Sequence, residues 1–478
     1  MPSLTDLPPE LLLSILGNTS RKDRLHASLT CKELHQVANS LFYAKISLDW
    51  SSPWETSPNS VPFLLRSLVE RPQLGSPVKE LHLSGRNFTR RLAWDTLTPL
   101  IFVDVLELDK VDSIIYGFQI LHAQEWAEQV AQGNMDALVT LLLSFLPNVT
   151  RLRILSNFAK ITRILALTLL SDIKASCNSS VVLPMLYSLE SVSVSRHRHR
   201  SGDVKEDNTA EILLWFYLPN IRFLELSIDN PKTFAWPLDY APCPSSLRSL
   251  TLTILREPHA ERVFAVCTGL TRLNWTLEYK VEYLDISEPT FYLDGVTTAL
   301  RPLQESLEDL TLTTAIEMGV SDIELPKVYI QGSLAIAHFP AMRKFSLSWP
   351  LAMGLEPNPE RRLSDSIPQN VQEMTITTDG FDLTDSFGWD EFSMLGPMEE
   401  FFMSYKEHTP LLEQLNLVVE CVYAKWSYRM RKEILYLCAG VGLKCSIIHH
   451  VPDGPPFETP PPGWVWRAPE SWDAATQS

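Results

Sequence analysis

The feature that most constrains this chain is a phrase of the form L-x-x-L-x-L, with substitutions among apolar residues. It starts at Val78, Val103, Val149, Leu189, Ile221, Leu247, Leu270, Leu307, Met342, Val371 and Leu412, and a degenerate copy runs from Leu443 to Ile448. Within each phrase the fourth and sixth residues are apolar, and the third and fifth are mostly polar. That period of two predicts a short strand with one buried face. Prolines sit a few residues ahead of many copies, at Pro147, Pro184, Pro219, Pro244, Pro340 and Pro368. Each would end a preceding helix and set up an extended start. Helical patterns lie between phrases, over 123–146, 159–176, 210–217, 261–266, 399–408 and 425–439.

One strand and one helix per unit, stacked in parallel, predict an α/β solenoid of the leucine-rich-repeat kind, a horseshoe with outer helices. Successive phrases start 25, 46, 40, 32, 26, 23, 37, 35, 29 and 41 residues apart. Regular repeats of this kind run about 20–29 residues, so the longer gaps must hold insertions or an undetected copy. The competing reading is an ordinary α/β domain with leucine-rich strands. In a horseshoe the third and fifth phrase positions line the concave face. They make Arg151, Arg153, Phe223, Glu225, Arg272, Asp309, Lys344 and Glu373 the candidate residues for binding a target protein. Their charges are mixed and name no particular ligand. A flat polar surface suits protein recognition better than a small-molecule pocket.

The first 45 residues read differently. Pro8 and Pro9 fit the first turn of a helix, Asp6 is placed to cap it, and Glu10 favours its positive end. Leu11, Leu12, Leu13, Ile15 and Leu16 are too many apolar residues for one stripe. A second helix is expected over 21–30 and a third over 31–43, with Leu34, Val37, Leu41 and Phe42 on its apolar side. Three short helices make a marginal core, so the excess apolar surface predicts a partner chain.

On these residues the stretch resembles an F-box. The family pattern is carried by Leu7-Pro8-Pro9-Glu10, Ile15-Leu16, Asp23-Arg24-Leu25, Cys31-Lys32 and Phe42-Tyr43. Glu33-Leu34-His35 stand where the family often has a bulky hydrophobic residue or Trp. The resemblance implies docking on the adaptor subunit of SCF-type ligases, and through it on cullin and RING subunits. By resemblance, Leu7, Pro8, Leu11, Leu12, Ile15, Leu16, Cys31 and Leu34 would carry the adaptor contact. The repeats that follow look like the degenerate arrays found after F-boxes in fungal-type proteins. The bland alternative is a helical cap that seals the next domain.

The expected organisation is an F-box over 1–45, a linker and first array helix over 46–77, the solenoid over 78–450, and a Pro/Trp-rich tail over 451–478. The tail's prolines predict an extended chain, and its three tryptophans could fold back onto the last repeat. Polar loops are expected over 194–208 and 350–370, and an Asp- and Phe-rich one over 378–394.

The net charge of −16 over 478 residues argues against nucleic acid and against an anionic membrane surface. No apolar run reaches the ~18 residues that span a bilayer; 138–146 and 161–170 read as buried helices. No secretory signal is visible. The seven scattered cysteines fit free thiols in a reducing compartment, so a cytoplasmic or nuclear location is expected and the Asn-x-Ser/Thr sites carry no meaning.

Nothing in the sequence supports catalysis or a cofactor. Phosphate-binding glycine loops, a nucleophile elbow and zinc-ligand spacings are all missing. His449 and His450 point to opposite faces of a strand and cannot chelate together. Asp379, Asp382, Asp385 and Asp390 lack calcium-loop spacing, and the basic Arg196–Arg200 cluster runs straight into acidic residues. No catalytic residue and no metal site is assigned. The reading is a non-catalytic substrate-recognition subunit of a ubiquitin ligase; a repeat scaffold working outside any ligase is the alternative.

Overall fold

A computed structural model describes residues 4, 7–49, 60–84, 101–155, 162–175, 182–195, 208–280, 290–317, 328–378, 389, 391–420, 428–450 and 465–467. Asp6, the Arg196–Arg200 cluster, the acidic group from Asp379 to Asp390 and most of the tail lie outside the described residues. The chain divides into two compact units, Met1–Leu226 with Ala235–Ser246, and Ser227–Phe234 with Leu247–Ser478.

The first unit opens with three helices, α1 (Pro9–Gly17), α2 (Arg21–Ser28) and α3 (Lys32–Ala44). Five parallel strands follow: β1 (Lys45–Asp49), β2 (Glu80–Ser84), β3 (Arg151–Ile154), β4 (Ser191–Val194) and β5 (Phe223–Ser227). The fourth residues of successive phrases stand side by side, Leu81 against Leu152, Leu152 against Val192 and Val192 against Leu224. All four are buried. A one-residue slip would expose the whole row, which is what holds the register.

The second unit repeats this pattern. Its parallel strands are β6 (Ser249–Thr253), β7 (Arg272–Lys280), β9 (Asp309–Glu317), β11 (Lys344–Ser348), β12 (Glu373–Thr377), β13 (Gln414–Glu420) and β14 (Lys444–His450). The strand β15 (Val465–Arg467) pairs antiparallel with β14. Two short strands, β8 (Thr290–Tyr292) and β10 (Tyr329–Gln331), form a separate parallel pair. The apolar row runs unbroken through Leu250, Leu273, Leu310, Phe345, Met374, Leu415 and Cys445.

Two devices recur at the strand starts. Successive N–H groups share one carbonyl of the neighbouring unit, as Thr150 and Arg151 do with Lys79, and Arg343 and Lys344 with Glu308. Side-chain amides just ahead of three strands bond back to an earlier turn. Asn148 donates to the Ser76 carbonyl (2.9 Å), Asn220 to that of Tyr187 (2.7 Å) and Asn370 to that of Pro340 (3.0 Å). Each ties the start of a strand to an earlier loop.

Two expectations are corrected. The phrase at Val103 is not a strand: 101–107 is irregular, and Leu108–Gly117 is a helix. Both sides of β2 are already taken, by β1 and β3, so a strand there would find no place beside it. The start of the expected linker is β1, in register with β2 from Lys45 opposite Glu80 to Asp49 opposite Ser84.

The all-round apolar helix Met135–Ser144 is buried, as is much of Arg163–Lys174. Asp136, on the first, caps the second: its carboxylate accepts from the Ile164 N–H at 2.6 Å and the Leu165 N–H at 3.4 Å. Among the described residues, no helix is long and apolar enough to cross a membrane, and the cysteines 31, 243, 267, 438 and 445 are free thiols.

Candidate adaptor-binding surface

The three N-terminal helices are held by local caps before they are held by packing. Pro8 is the N-cap of α1 and makes no side-chain bond; its follower Pro9 loses nothing by lacking an N–H there. At the other end Asn18 donates to the Ser14 carbonyl and Thr19 to that of Leu16. Ser20 caps α2: it accepts from the Asp23 N–H and donates to the Asp23 carboxylate at 2.6 Å. A ring nitrogen of His35 lies 3.2 Å from the Ser28 carbonyl, tying α3 to the end of α2.

Packing then divides the apolar residues of α1 into a buried stripe and exposed residues on either side of it. Leu12 and Leu16, one turn apart, are buried with Leu34 and Ala38 of α3, and Leu7, Ala27, Cys31, Val37, Leu41 and Phe42 pack around them. Leu11, Leu13 and Ile15 face outward, at 50%, 38% and 42% exposure. Leu4, Leu25 and Leu29 are exposed as well, Leu29 at 78%. So many large apolar side chains left in water on so small a domain mark it as one that docks on a partner.

Residues 4–49 match the F-box-like family model. The chain therefore carries an F-box-like domain over about a tenth of its length. No curated protein matches the chain. F-box domains bind the adaptor subunit of SCF complexes and generally bring substrate-recognition subunits to them, and they are generally not catalytic.

Of the eight residues expected at the F-box contact, the structure leaves Pro8, Leu11 and Ile15 exposed. Leu7 and Cys31 are half-buried, and Leu12, Leu16 and Leu34 are in the domain's own core. Leu13, Leu25 and Leu29 are exposed residues absent from that set. The triple Leu11-Leu12-Leu13 held the signal, because three consecutive helical residues span about 200° and cannot all face one core.

The eight candidate target residues fall on two separate stretches of sheet. Arg151 bonds to Glu80, whose carboxyl Arg151 holds below its ordinary range, and Lys45 sits 3.4 Å from the same carboxylate. In the second unit Arg272 pairs with Asp309 at 2.9 Å and Lys344 with Glu373 at 2.6 Å. Most charged third-position residues of each unit are therefore already in cross-strand ion pairs, while Ser191 and Phe223 in the first unit and Ser249 and Gln414 in the second are uncharged. Arg153, Phe223 and Glu225 are exposed residues of β3 and β5, with Phe223 at 44% exposure. Beside the charges lie hydroxyls, such as Thr276 and Thr313 at 2.9 Å.

Proposed function

We propose that this protein is a substrate-recognition subunit of an SCF-type cullin-RING ubiquitin ligase. The F-box docks on the adaptor, and through it on cullin and RING. The parallel strands are read as a leucine-rich-repeat-like solenoid of the type that follows F-boxes in fungal proteins, and its polar face takes the target protein. The chain holds no catalytic group of its own. Its contribution is proximity, bringing a target close to the ubiquitin-loaded enzyme. Such a role belongs in the cytoplasm or nucleus.

The observation that carries this reading is the exposed pair Leu11 and Ile15, one helical turn apart, on a domain that matches the F-box-like model. Pro8, Leu11 and Ile15 touch the adaptor, flanked by Leu7 and Cys31; Leu12, Leu16 and Leu34 act through the core that presents them. On the polar face, Arg153, Phe223 and Glu225 are the first choice for target contact, since Arg151, Arg272, Asp309, Lys344 and Glu373 already have ion-pair partners.

Co-purification with adaptor and cullin tests it. The intact chain retains both. Leu11→Asp with Ile15→Asp loses both while the fold is kept. Retention of the adaptor by the folded double variant overturns the assignment of the surface. Adaptor capture without cullin favours the scaffold reading instead.

A further inference from the structure

We propose that a trough along β4 binds an extended segment of a target protein that presents an apolar, an acidic and a basic residue in succession. The inference rests on the reading that the polar face of the sheet takes the target, and it names the chemistry of the segment taken.

The trough follows from the register of three strands. Arg151, Ser191 and Phe223 stand side by side, and so do Arg153, Ser193 and Glu225 two residues further on. Neighbouring strands lie about 4.8 Å apart, so the long side chains of β3 and β5 rise roughly 10 Å apart, with only serines between them. Arg153, Phe223 and Glu225 are exposed, while Ser191 is half-buried and Ser193 is 4% exposed. The Ser193 hydroxyl has no hydrogen-bond partner among the described residues. A buried hydroxyl left unpaired is costly, and an acceptor brought in beside it would relieve that cost.

The charges of the first unit divide at this trough. On one side Lys45 and Arg151 flank Glu80 and are neutralised by it. Arg153 and Glu225 have opposite charges too, but Ser193 stands between them, and neither has an ion-pair partner among the described residues. An unmet cation on one wall and an unmet anion on the other suit an acid and a base on the chain that lies between. An extended chain turns successive side chains to opposite sides, about 3.3 Å apart along its length. Laid along β4, its first and third residues would match the two-residue spacing of Phe223 and Glu225 on β5. The second would face β3 and reach Arg153. Apolar, acid, base is therefore the order for one chain direction, and base, acid, apolar for the other.

Full-length protein is panned against a random-peptide phage library, and the selected peptides are sequenced. Peptides with either triplet should be enriched roughly tenfold over their level on Arg153→Glu/Glu225→Lys. That charge-swapped variant should select the triplets with acid and base exchanged. Phe223→Ser should lose the apolar preference and keep the charged pair. All three side chains are exposed, so the thermal midpoints of the variants should stay close to that of the wild type. Adaptor co-purification, run on the same proteins, keeps this inference apart from the proposed role. Adaptor retained with neither triplet enriched, or the same peptides selected by the wild type and the swapped variant, overturns the trough alone. Triplet selection by a chain that captures no adaptor upholds the trough and overturns the ligase role.

Discussion

Arg256 and Glu257, neighbours in sequence, form a two-pronged ion pair that is almost entirely shut away from water. The guanidinium Nε and one Nη lie 2.8 and 3.0 Å from the two carboxylate oxygens. The same guanidinium donates to the Thr290 carbonyl at 2.5 Å and sits over the Phe291 ring at 4.4 Å. Glu257 in turn accepts from the Tyr292 N–H at 2.9 Å. The pair thus fixes β8 to the start of the helix Glu257–Phe264.

Breaking it from one side leaves a buried charge without its partner. Arg256→Met should cost about 3–5 kcal/mol, whereas Arg256→Met with Glu257→Leu should recover much of that loss. Thermal midpoints of the two variants, measured side by side, check this. A single variant no less stable than the double would contradict it.

Asp136 gives stability a pH dependence. Burial raises its carboxyl from the ordinary 3.8 to about 7, against the two N–H groups that favour its charged form. The folded state therefore holds a proton that the unfolded chain releases. The contribution is complete below about pH 4, declines as pH rises, and is lost above about pH 7. Asp172, which accepts from the Val182 and Leu183 N–H groups, is shifted the same way by burial. Thermal midpoints between pH 5 and pH 8 should fall more steeply for the wild type than for Asp136→Asn, which cannot ionise.

The buried and the exposed residues of α1 should separate by experiment. Leu12→Ala removes a buried side chain and should destabilise the N-terminal domain by about 2–5 kcal/mol. Leu11→Ala and Ile15→Ala should each change stability by less than about 0.5 kcal/mol, yet weaken adaptor binding by about 1–2 kcal/mol apiece. Calorimetry for binding and hydrogen exchange of α1–α3 for stability give the two readouts.

The charge row predicts a small, reversible effect. Lys344→Glu places like charges beside Glu373 and Asp309 and should cost roughly 0.2–1 kcal/mol. Adding Glu373→Lys should restore part of it. Because the side chains are well exposed, the difference should shrink in 1 M salt, measurable as a shift in thermal midpoint.

The strands were legible because a buried row on every second residue leaves a mark that survives irregular spacing. The phrase at Val103 misled because three apolar residues at the right intervals do not show whether a neighbouring strand has a free side. Strand β1 was hidden by its position. Tyr43-Ala-Lys-Ile46-Ser-Leu48 has the phrase's spacing, but its first member is the last aromatic of α3. The amides of Asn148, Asn220 and Asn370 were also in plain sight, next to or near the prolines already noted, though their bonds reach back 72, 33 and 30 residues. For the candidate surface, the sequence marked a helix with too much apolar area. It could not divide that area, since the choice between Leu11 and Leu12 depends on where α3 lies.

Helix α3 ends at Ala44 and β1 begins at Lys45, with no spacer between them; the Lys79 N–H donates to the Ala44 carbonyl at 2.9 Å and bolts the joint to the next strand. Whatever grips the helices also sets the heading of the first strand. The junction is an arm without an elbow: on the role proposed above, the first strands would follow the gripped helices as one piece and not swing on a tether.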